Sequence, residues 1–254
     1  YYDHIVLAIL ERVTDHLGIS TASGPRQRMH RVRASQVVLA TGAFERPLVF
    51  AHNDIPGVMQ ASSVSTYVNR YGVAPGEKLV LATTNDNAYQ TAIDWYNSGR
   101  VVVAVVDTRQ ATNGPLVSHV KDLGIEVLQG YGVIQAKGSK RVRGALVAPL
   151  NENGTKVTGP VEQLKCDLIA TSGGWNAAVH LSSHTGSKPI WDDAIVSFRP
   201  GISKQQERSV GACNGTFDLA QGLLEGALAG AEAAHLAGFG DGQVKRGMPI
   251  VNTL

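Results

Sequence analysis

Two cysteines in 254 residues, Cys166 and Cys213, provide no disulfide framework and no C-x-x-C pair. That excludes a disulfide-stapled secreted domain and a dithiol reductase of the thioredoxin-reductase type. No apolar run approaches the ~18 residues of a membrane helix, and no secretory leader pattern is recognisable. An excess of one charge is missing too: 23 Lys plus Arg against 21 Asp plus Glu leave +2. A balance this even excludes a protein that holds nucleic acid or a membrane by bulk electrostatics. Neither a G-x-S-x-G elbow nor a Gly-Lys-Ser/Thr phosphate loop occurs, so the hydrolase and NTPase readings have no support. The opening Tyr1-Tyr2-Asp3-His4 has no methionine, and the expectation is a piece of a longer polypeptide.

Glycine is abundant instead, at 28 residues, above the usual ~7%. Tight strand-to-helix turns of α/β folds use glycine in this way. Lys78-Leu79-Val80-Leu81-Ala82 reads as a strand, Thr83 to Asn87 as a turn, 88–98 as a helix and Val101 to Asp107 as a strand buried on both faces. Strand, turn, helix, strand within about 30 residues is a βαβ unit with a right-handed crossover. A second round follows, with a helix over 115–123 and a strand over 124–128. Stretches 132–136 and 142–148 alternate like a β-meander.

Upstream, 7–13 and 28–34 read as strands, the second with one wet face, joined by a turn cluster at 20–25. Gln36 to Gly42 reads as a short buried strand, and Val64, Tyr67, Val68 and Tyr71 form a helical stripe. Downstream, Asp218 to Leu236 reads as a helix whose Gly222, Gly226 and Gly230 allow close packing against a sheet or neighbour. The fold expected is α/β: a Rossmann-like domain over 75–170, inserted into a partial second Rossmann-like domain made of 1–74 and 171–240. Residues 241–254 read as a tail.

The turn after the first strand stands where a pyrophosphate would meet a helix N-terminus. The glycine fingerprint asks for Gly at 83 and 85 and Gly or Ala at 88; the sequence has Thr83, Asn85 and Ala88, with Asn87 between and Asp86 adding negative charge. Asp107, about 22 residues past Asn85, is the acid expected to bind ribose hydroxyls, with Arg109 as the alternative contact for a 2′-phosphate. This points to NAD over NADP, and the bland alternative is a Rossmann-like unit kept for its packing with its site empty. Two strand ends echo each other, Ala40-Thr41-Gly42 and Ala170-Thr171-Ser172-Gly173-Gly174; each reads as a cofactor-side turn or as an ordinary tight βα turn. His180 and His184 have i, i+4 spacing but no Glu in H-E-x-x-H form and no third ligand, so surface histidines in a loop are expected. Cys213, in a glycine-rich turn before a helix, reads as a small packing residue.

Val37-Val38-Leu39-Ala40-Thr41-Gly42-Ala43-Phe44-Glu45-Arg46-Pro47-Leu48-Val49-Phe50 and Asn53-Asp54-Ile55-Pro56-Gly57-Val58-Met59 resemble the alpha subunit of heterotetrameric sarcosine oxidase. So do Asn69 to Gly76, Asn85-Asp86-Asn87-Ala88-Tyr89 and Ser172-Gly173-Gly174-Trp175-Asn176. The resemblance implies a part in oxidative demethylation of sarcosine with oxygen, which gives glycine, hydrogen peroxide and a one-carbon unit passed to tetrahydrofolate. It implies amine oxidation on the FAD of a beta subunit, FMN at the alpha–beta interface and NAD on the alpha subunit. Beta, gamma and delta subunits are the implied partners; the location expected for the chain is the cytoplasm. The family's N-terminal glycine fingerprint and its folate-handling part do not occur in this sequence, and no family catalytic residue falls on any position. If NAD rests on that fingerprint, Thr41 and Gly42 are remnants of its pocket and the turn at 83–88 is vacant. A pyridine-nucleotide-dependent flavin reductase, a non-catalytic assembly module and the alpha subunit of an opine or other secondary-amine oxidase are the alternatives.

Overall fold

A computed structural model describes residues 3–17, 24–245, 247 and 251. The chain forms two compact units, one of residues 45–175 and one of 1–44 with 176–253. Part of the turn cluster, 20–23, and several positions of the segment 241–254 lie outside the described residues.

The two-piece unit begins with an antiparallel ribbon, β1 (Val6–Arg12) against β2 (Gln27–Arg33), with Val6 opposite Arg33. Every residue of β2 is exposed, so the single wet face expected of 28–34 is replaced by two. β3 (Val37–Leu39) follows, and β4 (Ala43–Glu45) carries the chain over the first junction.

In the 45–175 unit, β5 (Val58–Gln60) leads into α1 (Ala61–Tyr71), which ends at Gly72 in the left-handed region. β6 (Lys78–Thr83), α2 (Tyr89–Asn97), β7 (Val101–Asp107), α3 (Pro115–Asp122) and β8 (Val127–Gln129) then alternate. β9 (Tyr131–Gly138), β10 (Val142–Pro149) and β11 (Glu162–Leu164) form an antiparallel meander before β12 (Leu168–Ser172). The parallel sheet has the order β5-β12-β6-β7-β8. Its period-two strands sort side chains to opposite faces. Leu79, Leu81, Val105 and Leu168 meet Val64, Tyr89, Trp95 and Val120 of the helices. Val80, Val106 and Ile169 meet Ala136, Val142 and Val147 of the meander. The sheet is covered on both faces, as a parallel sheet requires.

The junctions fall at 44/45 and 175/176, not at 74/75 and 170/171. Residues 45–74 belong with the sheet because β5 pairs with β12, Val58 opposite Ile169, and because α1 buries Ala61 and Val64 in the helix-side core. The rest of β12 stays for the same reason, Ser172 lying opposite Thr83. The strand expected over 124–128 is shorter and later, starting only at Val127.

β13 (Trp175–Ala177) returns the chain to the two-piece unit. There a single turn of helix, α4 (His180–Ser183), replaces the loop expected around His180 and His184, and both histidines are exposed. The hairpin β14 (Ile190–Asp192) and β15 (Ser197–Arg199) follows. β16 (Glu207–Ser209) pairs in parallel with β3, Ser209 opposite Leu39. α5 (Leu219–Leu236) starts at Asp218, whose carboxylate caps the Gln221 amide at 2.8 Å. Of the glycine row of α5, Gly222 lies near Gly211, a Cβ there standing 3.9 Å from its Cα, while among the described residues a Cβ at Gly226 or Gly230 would meet nothing within 4 Å. Ala229 of this helix is buried, while Leu219, Leu223, Leu224, Leu228 and Leu236 are exposed.

Candidate functional site

In an open parallel sheet a ligand crevice forms at the carboxyl edge where neighbouring strands lead away in opposite directions. Here that point lies between β6, which continues to β7, and β12 on its other side. Hydrogen bonds cross it. The Thr84 amide donates to the Ser172 carbonyl at 3.1 Å. The Asn85 amide group donates to Ser172 Oγ at 3.0 Å, and its Oδ1 accepts the Ala88 amide at 3.2 Å. Buried Thr83 folds onto the same turn, its Oγ1 accepting the Asn85 amide at 3.0 Å and donating to the Asn85 carbonyl at 2.9 Å. Asn87 is exposed and accepts the Gln90 amide on its carbonyl at 3.2 Å, whereas Ala88 is buried. Thr83 and Asn85 thus spend their side-chain polar groups on the turn itself and on β12.

Asp107 is fully buried at the end of β7. Its Oδ1 accepts the Arg109 amide and Nε, each at 3.0 Å; its Oδ2 accepts Tyr89 Oη at 2.8 Å and Arg109 Nη2 at 2.7 Å. The expectation that Asp107 faces a ribose is therefore not met by this geometry, because donors from the protein fill both oxygens. Arg109 Nη2 also stands 2.8 Å from Asp86 Oδ1, a contact of charge more than of hydrogen-bond alignment. Burial opposes the guanidinium's charge, and the Asp107 and Asp86 carboxylates outweigh it, so Arg109 is held more firmly protonated than usual. Burial, then the Asp107 charge, raises the Tyr89 phenol well above its ordinary value. Arg109 is consequently not free to select a 2′-phosphate.

Gly173 and Gly174 meet the chain entering the unit, with Gly173 the more crowded of the two. The Gly173 amide donates to the Arg46 carbonyl at 2.6 Å, and the Arg46 amide donates to the Gly174 carbonyl at 2.8 Å. A Cβ on Gly173 would stand 3.1 Å from the Arg46 carbonyl oxygen and 3.2 Å from that of Pro47. Sequence reasoning missed Glu45, whose buried carboxylate accepts the Ser62 amide at 2.9 Å and Ser62 Oγ at 2.5 Å in the first turn of α1. Only the adjacency of Glu45 to Arg46-Pro47 hinted at it. Tyr89 was missed as well; its place beside the turn, opening α2, was the available signal. A cavity of about 230 Å³ lies between Glu45, Ser62, Ala88, Thr91 and Trp175.

The two-piece unit has its own carboxyl edge, that of β3 and β16. The Val210 amide donates to the Leu39 carbonyl at 2.9 Å, and buried Cys213 lies with Sγ 3.2 Å from the same oxygen, as a packing residue. Both strands run out into glycines of left-handed backbone, Gly42 at φ +74° and Gly211 at φ +68°, each with open space where a Cβ would stand. Thr41 Oγ1 donates to the Ala178 carbonyl at 3.0 Å, and the Ala178 amide donates to the Gly42 carbonyl at 3.0 Å. The Gly211 amide donates to Glu225 of α5 at 2.8 Å. A polar cavity of about 200 Å³ lies beside β16, against Ser203, Arg208 and Asn214.

No protein-family profile matches the chain. It is 40% identical over 253 residues to the sarcosine oxidase alpha subunit of Corynebacterium sp. (strain P-1), covering 98% of this chain and 26% of that protein. The corresponding protein of Corynebacterium sp. (strain U-96) is 41% identical over 241 residues, covering 94% and 25%. An opine oxidase subunit from Rhizobium meliloti (strain 1021) is 25% identical over 230 residues, covering 79% and 48%. The chain thus spans about a quarter of the length of the sarcosine oxidase subunits it matches. Among solved structures, L-proline dehydrogenase from P. horikoshii matches with TM-score 0.56 and 20% identity over 84% of this chain and 37% of that one. Thioredoxin reductase of Lactococcus lactis matches with TM-score 0.61 and 16% identity over 83% and 68%. The shared feature is the fold, a Rossmann-like α/β arrangement around a parallel sheet.

Proposed function

From a chain homologous over nearly its whole length to one segment of the sarcosine oxidase alpha subunits, we propose a segment of such a protein, with a part in oxidative demethylation of sarcosine. The identity of about 40% across both units supports this reading most directly. Within the proposal, amine oxidation belongs to FAD on a beta subunit, while FMN lies at the alpha–beta interface; beta, gamma and delta subunits are the partners and the cytoplasm the compartment. NAD would add an adenine dinucleotide's binding energy and redox capacity to the complex.

This chain's own contribution is binding and docking. For NAD we favour the β3–β16 edge, with Thr41, Gly42 and Gly211 lining the rim. Supporting this, both glycines leave backbone open at the carboxyl end of paired parallel strands, where such ligands approach. Thr41 holds that rim in shape through Ala178. For docking we favour the exposed leucines of α5 together with Ile9, Leu10 and Met29 of the ribbon. The occupant is the remaining three quarters of the alpha polypeptide, the length by which the relatives exceed this chain.

Titration of the purified chain with NAD and with flavins tests the reading. The expected result is NAD binding weakened by Gly42→Val, with no amine oxidation by the chain alone. Tight stoichiometric flavin accompanied by sarcosine oxidation would defeat it.

A further inference from the structure

We propose that the carboxyl edge of the 45–175 unit is not a dinucleotide site but is closed by its own side chains, Asp86 standing in for a pyrophosphate and Arg109 with Tyr89 for ribose hydroxyls. A dinucleotide asks three things of such an edge: a turn without obstructing side chains, unclaimed amides at the helix N-terminus, and an acid with free lone pairs. All three are spent here. Thr83 and Asn85 put side chains into the turn, and Asn85 claims the Ala88 amide. Asp107 accepts from the Arg109 amide, Nε and Nη2 and from Tyr89 Oη. A ribose would have to replace a guanidinium on a buried carboxylate with neutral hydroxyls, exchanging charge-assisted bonds for weaker ones.

The phosphate side is closed by charge. Asp86 projects a carboxylate onto Arg109 and lies against Gly114, the residue before α3; a methyl at Gly114 would collide with that carboxylate. The Asp86 anion therefore already has the guanidinium, a partner a phosphate would seek, and its carboxylate occupies the space beside Gly114. The unit keeps the architecture of a nucleotide domain and serves as a rigid framework. This inference stands independently of the sarcosine oxidase reading, since it rests only on contacts inside residues 45–175.

The test uses the 254-residue protein, its Asp86→Asn and Arg109→Lys variants and the double variant, each melted alone and with NAD, NADP or ADP. A self-filled edge gives single variants melting roughly 2–5 °C lower. The double variant then loses less than the sum, because the two groups share one interaction. Any nucleotide-induced shift is the same in all four proteins. Additive losses overturn the proposal. So does a nucleotide shift in the unaltered protein that either single variant abolishes, since binding to the native state must stabilise it.

Discussion

Tyr89 Oη, at the start of α2, donates a 2.8 Å hydrogen bond to Asp107 Oδ2 at the end of β7, and both residues are fully buried. The bond ties the first helix after β6 to the neighbouring strand at the edge where a ligand would otherwise enter. Tyr89→Phe keeps the ring and removes the donor. The expected cost is about 1–2 kcal/mol, because Arg109 continues to hold the same oxygen. Urea unfolding with an unchanged m-value measures it, and a loss below about 0.3 kcal/mol would show that the phenol contributes only its ring.

Gly42 and Gly173 follow strands with similar sequence endings but are glycine for different reasons. At Gly42 the backbone is left-handed and the space open, so Gly42→Ala costs about 1 kcal/mol of backbone strain. At Gly173 the obstacle is the carbonyl oxygens of Arg46 and Pro47, so Gly173→Ala forces main chain apart and costs about 1–3 kcal/mol. Gly173→Ala is also expected to raise hydrogen exchange at the Gly173 and Arg46 amides; Gly42→Ala is not. Equal exchange in both variants would contradict this assignment.

Burial, followed by the neighbouring Asp167 charge, pushes the Cys166 thiol from its ordinary 9.0 up to about 12. Below pH 9 the thiol is protonated in folded and unfolded chains alike, and its stabilising contribution is complete. Between pH 9 and about 12 only the unfolded chain releases the proton, so stability falls as pH rises. Cys166→Ala should flatten that part of the stability profile. Native protein at about pH 8 should also resist maleimide at Cys166 until it is unfolded.

The leucines of α5 touch too little to stabilise the chain by themselves. Leu223→Ser with Leu228→Ser is expected to change unfolding free energy by less than about 1 kcal/mol, since Leu228 is 51% exposed and Leu223 38%. In the full-length alpha polypeptide the same pair should loosen this segment from the rest of the chain, read as faster limited proteolysis at its borders. Unchanged proteolysis would remove α5 from the docking surface.

Periodicity and turn chemistry made the alternating strands and helices from Lys78 to Asp122 legible, because each buried strand and each helical stripe carries its own local pattern. The strings from Val37 to Met59 and from Ser172 to Asn176 carried the family likeness. The junctions at 44/45 and 175/176 were not legible. β5 and β12 pair across more than a hundred residues, and nothing local marks which sheet a three-residue strand will join. The candidate site divides in the same way. Asp86, Asp107 and Arg109 were visible as residues of the right type at the right spacing, and their spacing is what a nucleotide site needs. Whether they face a ligand or one another depends on side-chain direction and on Tyr89 arriving from the next helix. Sequence thus determined which groups stand at the carboxyl edge; tertiary packing decided that they satisfy each other, because a buried carboxylate takes the nearest donors, and here those are the protein's own.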